Sequence, residues 1–222
     1  MWTARAVSVS PAQVRLLDDR ERRVYESLLR EPDRALYLTA HALLRLVLGE
    51  ALGRDPAGLV FAAGPHGKPY LEGAGVEFSL SHSGERVAVA LTSGTPVGVD
   101  VERVTDLVEL PLPVLSAEER AVFDRVPGPE RAAAFTAYWV RKEAVLKATG
   151  EGLRVDPARL TVSAPDRPAE LLGWRGREGP RGRDDVQPHL PVRLYDLDAG
   201  EGYRGAVALL GEAAHRIVPR TV

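Results

Sequence analysis

Hydrophobic positions follow helical spacing in some segments of the chain and alternate in others, which predicts an order of elements. Ser10 and Pro11 predict the start of the first helix, and Gly53 predicts the end of the second. The predicted helices cover residues 12–29, 33–52 and 131–149. The predicted strands cover residues 4–9, 59–62, 76–81, 87–92, 96–102, 160–163, 192–197 and 206–210.

The order of helix, strand and hairpin occurs twice in this prediction. Residues 83–91 also resemble residues 202–210. The proline-rich segment 105–130 carries a short helix of its own and is interpreted as the connection between the halves. We therefore expect an α+β fold of two similar lobes, residues 1–104 and 105–222, with a ligand-binding cleft between them.

Composition places the chain among ordinary globular proteins. Apolar residues make up 45% and charged residues 27%, and the formal net charge of −2 indicates neither a nucleic-acid nor a membrane partner. The absence of cysteine excludes disulfides and thiol nucleophiles. No apolar run of about 18 residues and no signal-peptide pattern is visible, so we expect a cytoplasmic protein.

The basic residues are nearly all arginines. Of 29 lysines and arginines only Lys68, Lys142 and Lys147 are lysines, which leaves 29 − 3 = 26 arginines. A lysine kept against such a bias can be needed as a compact ammonium, or the three can remain by chance. The Gly- and Arg-rich run over residues 174–188 predicts an exposed, mobile loop. Acidic neighbours favour a solvated loop there over an RNA-binding patch.

Asp100 and Glu102 are the first candidates for a chemical role. They are two residues apart in a predicted strand, so their side chains point the same way. Val97, Val99 and Val101 indicate that this strand is buried, where two like charges raise each other's pKa unless a cation compensates. Mg²⁺ takes one or two carboxylates and completes its shell with water and phosphate. Two solvated acids on an exposed edge are the alternative.

Glu143 and Lys147 supply complementary groups. They are four residues apart in a predicted helix, so they share a face. Glu143 can complete a three-carboxylate metal site, and Lys147 can neutralise a phosphate oxygen. The alternative is a surface ion pair of small energetic value.

His82 is a candidate phosphate contact. It ends a predicted strand, and Ser79, Ser81 and Lys68 are the polar groups expected beside it. A structural histidine is the alternative. The glycine-containing segment 64–69 is too short for a phosphate loop and has proline where that loop needs Ser or Thr.

Four motifs carry a resemblance to a known family. They are Gly67-Lys68-Pro69, Phe78-Ser-Leu-Ser-His-Ser-Gly84, Gly98-Val-Asp-Val-Glu102 and Trp139-Val-Arg-Lys-Glu-Ala-Val-Leu-Lys147. In this order they closely resemble the signature blocks of the 4′-phosphopantetheinyl transferases of the surfactin-synthetase (Sfp) type. The resemblance covers residues 12–210, is strongest over residues 64–153 and shows no departure at the metal positions.

The resemblance implies a monomeric pseudo-dimer of two α+β lobes with coenzyme A bound between them. It implies that Asp100, Glu102 and Glu143 hold Mg²⁺, with Mn²⁺ as an alternative, and that Lys147 contacts the phosphates. The other residues implied to contact coenzyme A are Arg23, Arg34, His66, Gly67, Lys68, Ser79, Ser81 and His82.

The implied reaction transfers the 4′-phosphopantetheine group from coenzyme A to a serine of an apo acyl or peptidyl carrier protein domain, and 3′,5′-ADP leaves. Glu143, directly or through a water molecule, is the expected base, and Lys147 stabilises charge on the phosphates. A Mg²⁺-dependent hydrolase of nucleotide-like diphosphates and a non-catalytic module that binds coenzyme A or a carrier are the alternatives. A requirement for a carrier separates the transferase from the hydrolase.

Overall fold

A computed structural model of the chain describes residues 1–6, 9–105, 110–175, 177–178, 184–185, 191–212 and 215–221. Its helices are α1 (Pro11–Val14), α2 (Asp19–Ser27), α3 (Glu31–Leu52), α4 (Ala117–Phe123) and α5 (Arg131–Thr149). Its strands are β1 (Trp2–Arg5), β2 (Ala62–Ala63), β3 (Pro69–Tyr70), β4 (Glu77–Ser83), β5 (Arg86–Thr92), β6 (Val97–Arg103), β7 (Leu160–Val162), β8 (Leu171–Trp174), β9 (Arg177–Glu178), β10 (Asp184–Asp185), β11 (Val192–Leu197), β12 (Tyr203–Leu210) and β13 (Arg220–Thr221). Short 3-10 turns cover Pro56–Gly58, Leu112–Val114, Gly128–Glu130, Gly152–Arg154 and Pro157–Arg159.

The first predicted helix is in fact two helices. A new helix begins after Asp18 because Asp18 and Glu21 form a capping box. Asp18 Oδ1 accepts from the Glu21 amide at 2.8 Å, and Glu21 Oε2 accepts from the Asp18 amide at 3.0 Å. This pairing satisfies amide groups that a helix start leaves open. The prediction of one continuous helix over residues 12–29 was therefore wrong.

The first sheet has the strand order β13-β1-β5-β4 and lies against α3. Neighbouring strands of this sheet are antiparallel, except β1 and β13, which are parallel. The core of this half consists of buried apolar side chains from α3 and the sheet, among them Ala40, Leu43, Leu44, Val47, Leu48, Phe78, Val87 and Val89. The apolar stripe that predicted the second helix is the face that packs on this sheet.

The second sheet has the strand order β11-β12-β6, is antiparallel throughout and is covered by α5. Gly98 of β6 lies directly against the backbone of this helix. A Cβ atom at Gly98 would lie 2.0 Å from the Ala144 carbonyl oxygen and 2.4 Å from the Ala148 amide nitrogen. The absence of a side chain at Gly98 therefore allows α5 to lie directly on the strand.

Each of the two sheets contains strands from both sides of the predicted boundary at residue 104. Strand β6 precedes the predicted boundary and yet pairs with β12 in the second sheet. Strand β13, near the other end of the chain, pairs with β1 in the first sheet. The fold is α+β, as predicted, but the predicted division into residues 1–104 and 105–222 does not separate its two sheets.

The helix α3 is long and apolar enough to cross a membrane by length and composition, with a mean hydropathy of 1.4 in its most apolar window. This finding corrects the expectation that no such run exists. Of that window 56% is buried inside the fold. Arg45 in the same helix is fully buried in ion pairs with Asp18 and Glu21, at 2.8 and 2.7 Å. Both features are typical of the core helix of a globular domain.

The predicted mobile loop over residues 174–188 lies mostly outside the described residues. Trp174 ends β8 and is buried, and the Arg175 guanidinium donates to Glu118 at 2.5 Å. The two-residue strands β9 and β10 pair with each other. The structure therefore does not test the predicted exposure and mobility of most of this loop.

Candidate active site

A pocket of about 290 Å³ opens where β4, β6 and α5 meet. Its walls combine ionisable groups from all three elements with apolar surface. The lining residues are Leu80, Ser81, His82, Asp100, Glu102, Trp139, Glu143 and Lys147. The pocket brings together the three carboxylates, one of the three lysines and the histidine that the sequence singled out.

Asp100 faces the pocket from β6 and is only 2% exposed. Its Oδ1 accepts hydrogen bonds from the Ser81 hydroxyl and the Lys147 ammonium, both at 2.7 Å. Its Oδ2 is buried and has no hydrogen-bond partner among the described residues. A buried acceptor without a donor is costly, so this oxygen is suited to a ligand that enters the pocket.

Glu102 lies two residues further along β6 on the same face. Its Oε2 accepts from the Ser83 hydroxyl at 2.5 Å, and the nearby Trp139 side chain also favours its charged form. Burial raises the pKa of Glu102 and the negative Asp100 adds to this effect, although the donors and Lys147 partly oppose it. Glu102 is therefore held by neutral donors close to a second negative charge.

Glu143 faces the same pocket from α5. Burial raises the pKa of its carboxyl, and the negative charges of Asp100 and Glu102 act in the same direction. Lys147 opposes them only in part, and the pKa of Glu143 rises to about 7. The Oε1 atom of Glu143 is buried without a hydrogen-bond partner in the described part of the chain. Burial and the neighbouring negative charges thus favour the protonated form of Glu143.

Lys147 lies one helical turn after Glu143, as the four-residue spacing predicts. Its ammonium donates to the Val99 carbonyl oxygen at 3.2 Å and to Asp100 Oδ1 at 2.7 Å. An ammonium has three N–H groups, so one has no acceptor among the described residues and is left for an anionic ligand. The side chain is 29% exposed, which leaves it accessible from the pocket.

The donor set of the pocket fits a divalent cation. Asp100 Oδ2 and Glu143 Oε1 are buried carboxylate oxygens to which no described residue donates, and carboxylate oxygens are the ligands that Mg²⁺ prefers. Among the described residues, no three His, Asp or Glu side chains already form a complete metal-binding group. The pocket can supply part of an octahedral shell, and water and a substrate phosphate would have to supply the rest.

Lys68 does not line this pocket but lies against the same edge of β6. Its ammonium donates to the Val97 carbonyl oxygen at 3.1 Å and lies 3.6 Å from Glu77 Oε2. Burial lowers the pKa of Lys68, and Glu77 opposes this effect. Lys68 and Lys147 thus contact carbonyl groups two residues apart on one strand edge.

The other predicted ligand contacts around the pocket have different surroundings. His82 lines the pocket, and burial lowers its pKa, with the nearby positive charges of His41 and Lys147 acting in the same direction. His66 Nδ1 lies 3.2 Å from Arg154 Nη1. Gly67 has a φ of +86°, which favours glycine at the turn before Lys68.

Ser79 and Ser81 are both buried on β4. The Ser79 hydroxyl accepts from the Val99 amide at 3.0 Å, and Ser79 is not among the lining residues of the pocket. The Ser81 hydroxyl accepts from the Val101 amide at 3.3 Å and donates to Asp100. Of the two serines, only Ser81 therefore lies where it can meet a ligand in this pocket.

Arg23 and Arg34 do not line the pocket. Arg23 is exposed on α2. Arg34 is partly buried on α3, and its Nε donates to the Leu28 carbonyl oxygen at 2.7 Å. Their role in binding a nucleotide phosphate stays a prediction.

Two pocket contacts were missed by reasoning from the sequence. Ser83 donates to Glu102, and it could have been found because Ser79, Ser81 and Ser83 alternate along one strand and therefore share a face. Trp139 lines the pocket and precedes Glu143 by four residues, which places both on one face of α5.

Known proteins resemble this chain in sequence. The model of the 4′-phosphopantetheinyl transferase superfamily matches residues 96–190. The 4′-phosphopantetheinyl transferase psf-1 of Bacillus pumilus is 30% identical over 179 residues, or 80% of this chain and 72% of the relative. A 4′-phosphopantetheinyl transferase of Bacillus subtilis is 29% identical over 180 residues, or 80% and 73%. The 4′-phosphopantetheinyl transferase HetI of Nostoc sp. is 30% identical over 146 residues, or 62% of this chain and 61% of the relative.

Among solved structures, an ACPS–CoA complex of Chronobacterium ammoniagenes covers 54% of this chain and 98% of that chain, at 21% identity and a TM-score of 0.41. The matched family segment contains Asp100, Glu102, Glu143 and Lys147. The match to the Bacillus pumilus relative extends over most of both chains. This chain therefore belongs to the 4′-phosphopantetheinyl transferase superfamily, whose members are transferase enzymes.

Proposed function

We propose that this chain is an Sfp-type transferase that moves the 4′-phosphopantetheine group of coenzyme A to a serine of apo acyl or peptidyl carrier protein domains. The observation that carries this proposal is the pocket that gathers Asp100, Glu102, Glu143 and Lys147. Acidic groups for a cation and an ammonium for a phosphate are the groups that phosphoryl transfer from a pyrophosphate needs.

Asp100, Glu102 and Glu143 are the residues that would hold Mg²⁺, or Mn²⁺ in its place. The buried oxygens of Asp100 and Glu143 that lack donors support this assignment. When bound, the ion supplies positive charge to the pyrophosphate oxygens of the substrate.

Positively charged and polar groups around the pocket would hold the rest of coenzyme A. Lys147 keeps one N–H group for a phosphate oxygen, and His82 faces the same space. Lys68 would contact the nucleotide at the neighbouring edge. The remaining proposed contacts are Arg23, Arg34, His66, Gly67 and Ser81, and Ser79 is supported least because its hydroxyl lies outside the pocket.

The transfer step requires a proton acceptor and charge stabilisation. The carrier serine oxygen attacks the phosphorus that bears the pantetheine arm, a P–O bond forms, and the P–O bond to 3′,5′-ADP breaks. Glu143 takes the serine proton, directly or through a water molecule, and its position in the pocket beside Lys147 supports this role. Lys147 offsets the negative charge that moves onto the leaving phosphate.

We further infer that the molecule is a monomer that acts in the cytoplasm and that it consists of two similar lobes around the pocket. Two sheets, each covered by a long helix, support the arrangement of lobes. The chain is rich in arginine, which can locally suit the acidic surroundings of a carrier serine, so carrier domains are the proposed protein partners.

Intact mass spectrometry of an apo carrier protein tests the proposed reaction. With the enzyme, coenzyme A and Mg²⁺, the carrier should gain about 340 Da, the mass of a phosphopantetheine group, and EDTA should abolish the gain. No gain with consumption of coenzyme A would favour a diphosphate hydrolase. No gain and no consumption would favour a binding module.

The same assay tests the role of Glu143. Glu143→Gln should lose turnover by about a hundredfold or more while coenzyme A still binds, because the amide cannot accept the serine proton. Glu130→Gln is the matched control, since Glu130 is an exposed residue at the other end of the same helix. Near-normal turnover in Glu143→Gln would exclude Glu143 as the base.

A further inference from the structure

The two sheets are joined by hydrogen bonds to serine side chains. In a continuous sheet, backbone carbonyl groups would accept these bonds. Strands β4 and β6 are edge strands of their sheets, and backbone amides on the free edge of β6 donate to serines of β4. The bonds run from Val99 to Ser79, from Val101 to Ser81 and from Arg103 to Ser83, at 3.0, 3.3 and 3.2 Å. We call these three serines the serine ladder.

Two members of the serine ladder also donate to acidic residues. A hydroxyl that accepts from an amide keeps its own proton for a second bond. Ser81 donates to Asp100 Oδ1 at 2.7 Å, and Ser83 donates to Glu102 Oε2 at 2.5 Å. The structure describes no bond from the Ser79 hydroxyl to a carboxylate. The ladder therefore contains two serines that hold an acid and one that does not.

These bonds decide which oxygen of each acid is left for a ligand. Ser81 and Lys147 both occupy Asp100 Oδ1, so Oδ2 is the oxygen without a donor. Ser83 occupies Glu102 Oε2, so the other oxygen of Glu102 receives no bond from the serine ladder. A serine has one rotatable bond before its oxygen, and an amide of β6 fixes that oxygen, so the direction of the donated bond is set by the docking of the two strands.

We propose that Ser83 and Ser81 are positioning residues for the metal-binding acids, which they hold so that the remaining carboxylate oxygens face the cation. Docking of the two sheets against each other would then also form the metal site. This inference rests on the proposed function, because it takes Asp100 and Glu102 as metal ligands. Hydrogen bonds to ligating carboxylates commonly change metal affinity by about tenfold to a hundredfold.

Ser83 gives the sharper test, because Ser81 is itself a proposed coenzyme A contact. Mn²⁺ is titrated into the full chain with coenzyme A present, and free Mn²⁺ is followed by electron paramagnetic resonance. Ser83→Ala should weaken Mn²⁺ binding about tenfold, and Ser83→Thr, which keeps a hydroxyl, should restore it. The Mg²⁺ concentration for half-maximal turnover should rise with the same ranking.

Ser116→Ala is the control, since it removes a serine hydroxyl that accepts from the Glu119 amide at 3.3 Å at the start of α4, outside the pocket. It should leave Mn²⁺ affinity unchanged even if it lowers the unfolding temperature. If Ser83→Ala does not fold, Ser83→Cys keeps nearly the same size with a weak donor and should weaken Mn²⁺ binding in its place.

Three results would overturn the inference. Equal Mn²⁺ affinity in the folded Ser83 variants and the unmodified chain would show that the bond to Glu102 does not matter for the metal. Equal weakening in Ser116→Ala would show a general effect of lowered stability on the metal site and not an effect of the bond to Glu102. No Mn²⁺ binding by the unmodified chain would refute the proposed metal site itself, and this inference with it.

Discussion

The three lysines of the chain differ in what their ammonium groups touch. Lys68 and Lys147 contact the edge of β6, whereas Lys142 points into the interior and is fully buried. Its Nζ donates to the carbonyl oxygens of Val114 and Pro157 at 2.7 and 3.0 Å and pairs with Glu119 at 2.5 Å. Three acceptors satisfy its three N–H groups. Lys142 therefore holds the fold together and does not face the pocket.

Removing this buried cation should be costly. Lys142→Met leaves Glu119 as a buried charge without its partner, and we expect the free energy of unfolding to fall by about 3–5 kcal/mol in urea titrations. Arg120→Ala is the control, because Arg120 forms an exposed ion pair with Asp124 at 2.7 Å. That change should cost about 0.5 kcal/mol or less. Equal losses in the two variants would contradict the assignment.

The contact between α5 and β6 positions the ionisable groups at the scale of whole elements. The strand carries Asp100 and Glu102, and the helix carries Glu143 and Lys147, so the distance between the two elements sets the geometry of the pocket. Gly98 allows α5 and β6 to lie this close, because a Cβ atom at this position would overlap the helix backbone.

Gly98→Ala should therefore separate the helix from the strand. We expect a loss of about 1–3 kcal/mol of stability from overpacking, together with a loss of turnover, because the displaced helix carries Glu143 and Lys147. Gly128→Ala is the control, since no atom lies within 4 Å of a Cβ built at Gly128. Unfolding titrations and the carrier assay measure both effects, and a variant with normal stability would show that α5 does not need this glycine.

Each half of the chain contributes a strand to the sheet that consists mainly of the other half. Strand β6 belongs to the first half of the chain and completes the second sheet, while β13 belongs to the second half and extends the first sheet. The serine ladder adds bonds between β4 and β6. Neither sheet therefore consists of one half of the chain alone.

This crossing predicts that the two halves unfold together. Differential scanning calorimetry of the full chain should show one transition whose calorimetric and van't Hoff enthalpies agree, because loss of either sheet removes a strand contact from the other. Two resolved transitions would show that the halves are stable independently, as a boundary at residue 104 would imply.

Local spacing along the sequence was enough to predict several parts of the fold and the site. Alternation placed Asp100 and Glu102 on one face of a strand, and four-residue spacing placed Glu143 and Lys147 on one face of a helix, as the structure has them. The capping box at Asp18 is also local, but it was interpreted as the interior of a longer helix. Spacing predicts these placements because both residues of each pair lie in the same strand or helix.

Contacts between distant segments were decided only by the tertiary structure. Lys142 and Lys147 lie on the same helix, and packing alone determines that the first meets Glu119 and the second meets Asp100. The bond from Ser83 to Glu102 and the pairing of β6 with β12 likewise join segments that no local pattern relates. Periodicity fixes the direction of a side chain relative to its own element. Which element it then faces depends on burial and pairing summed over the whole chain.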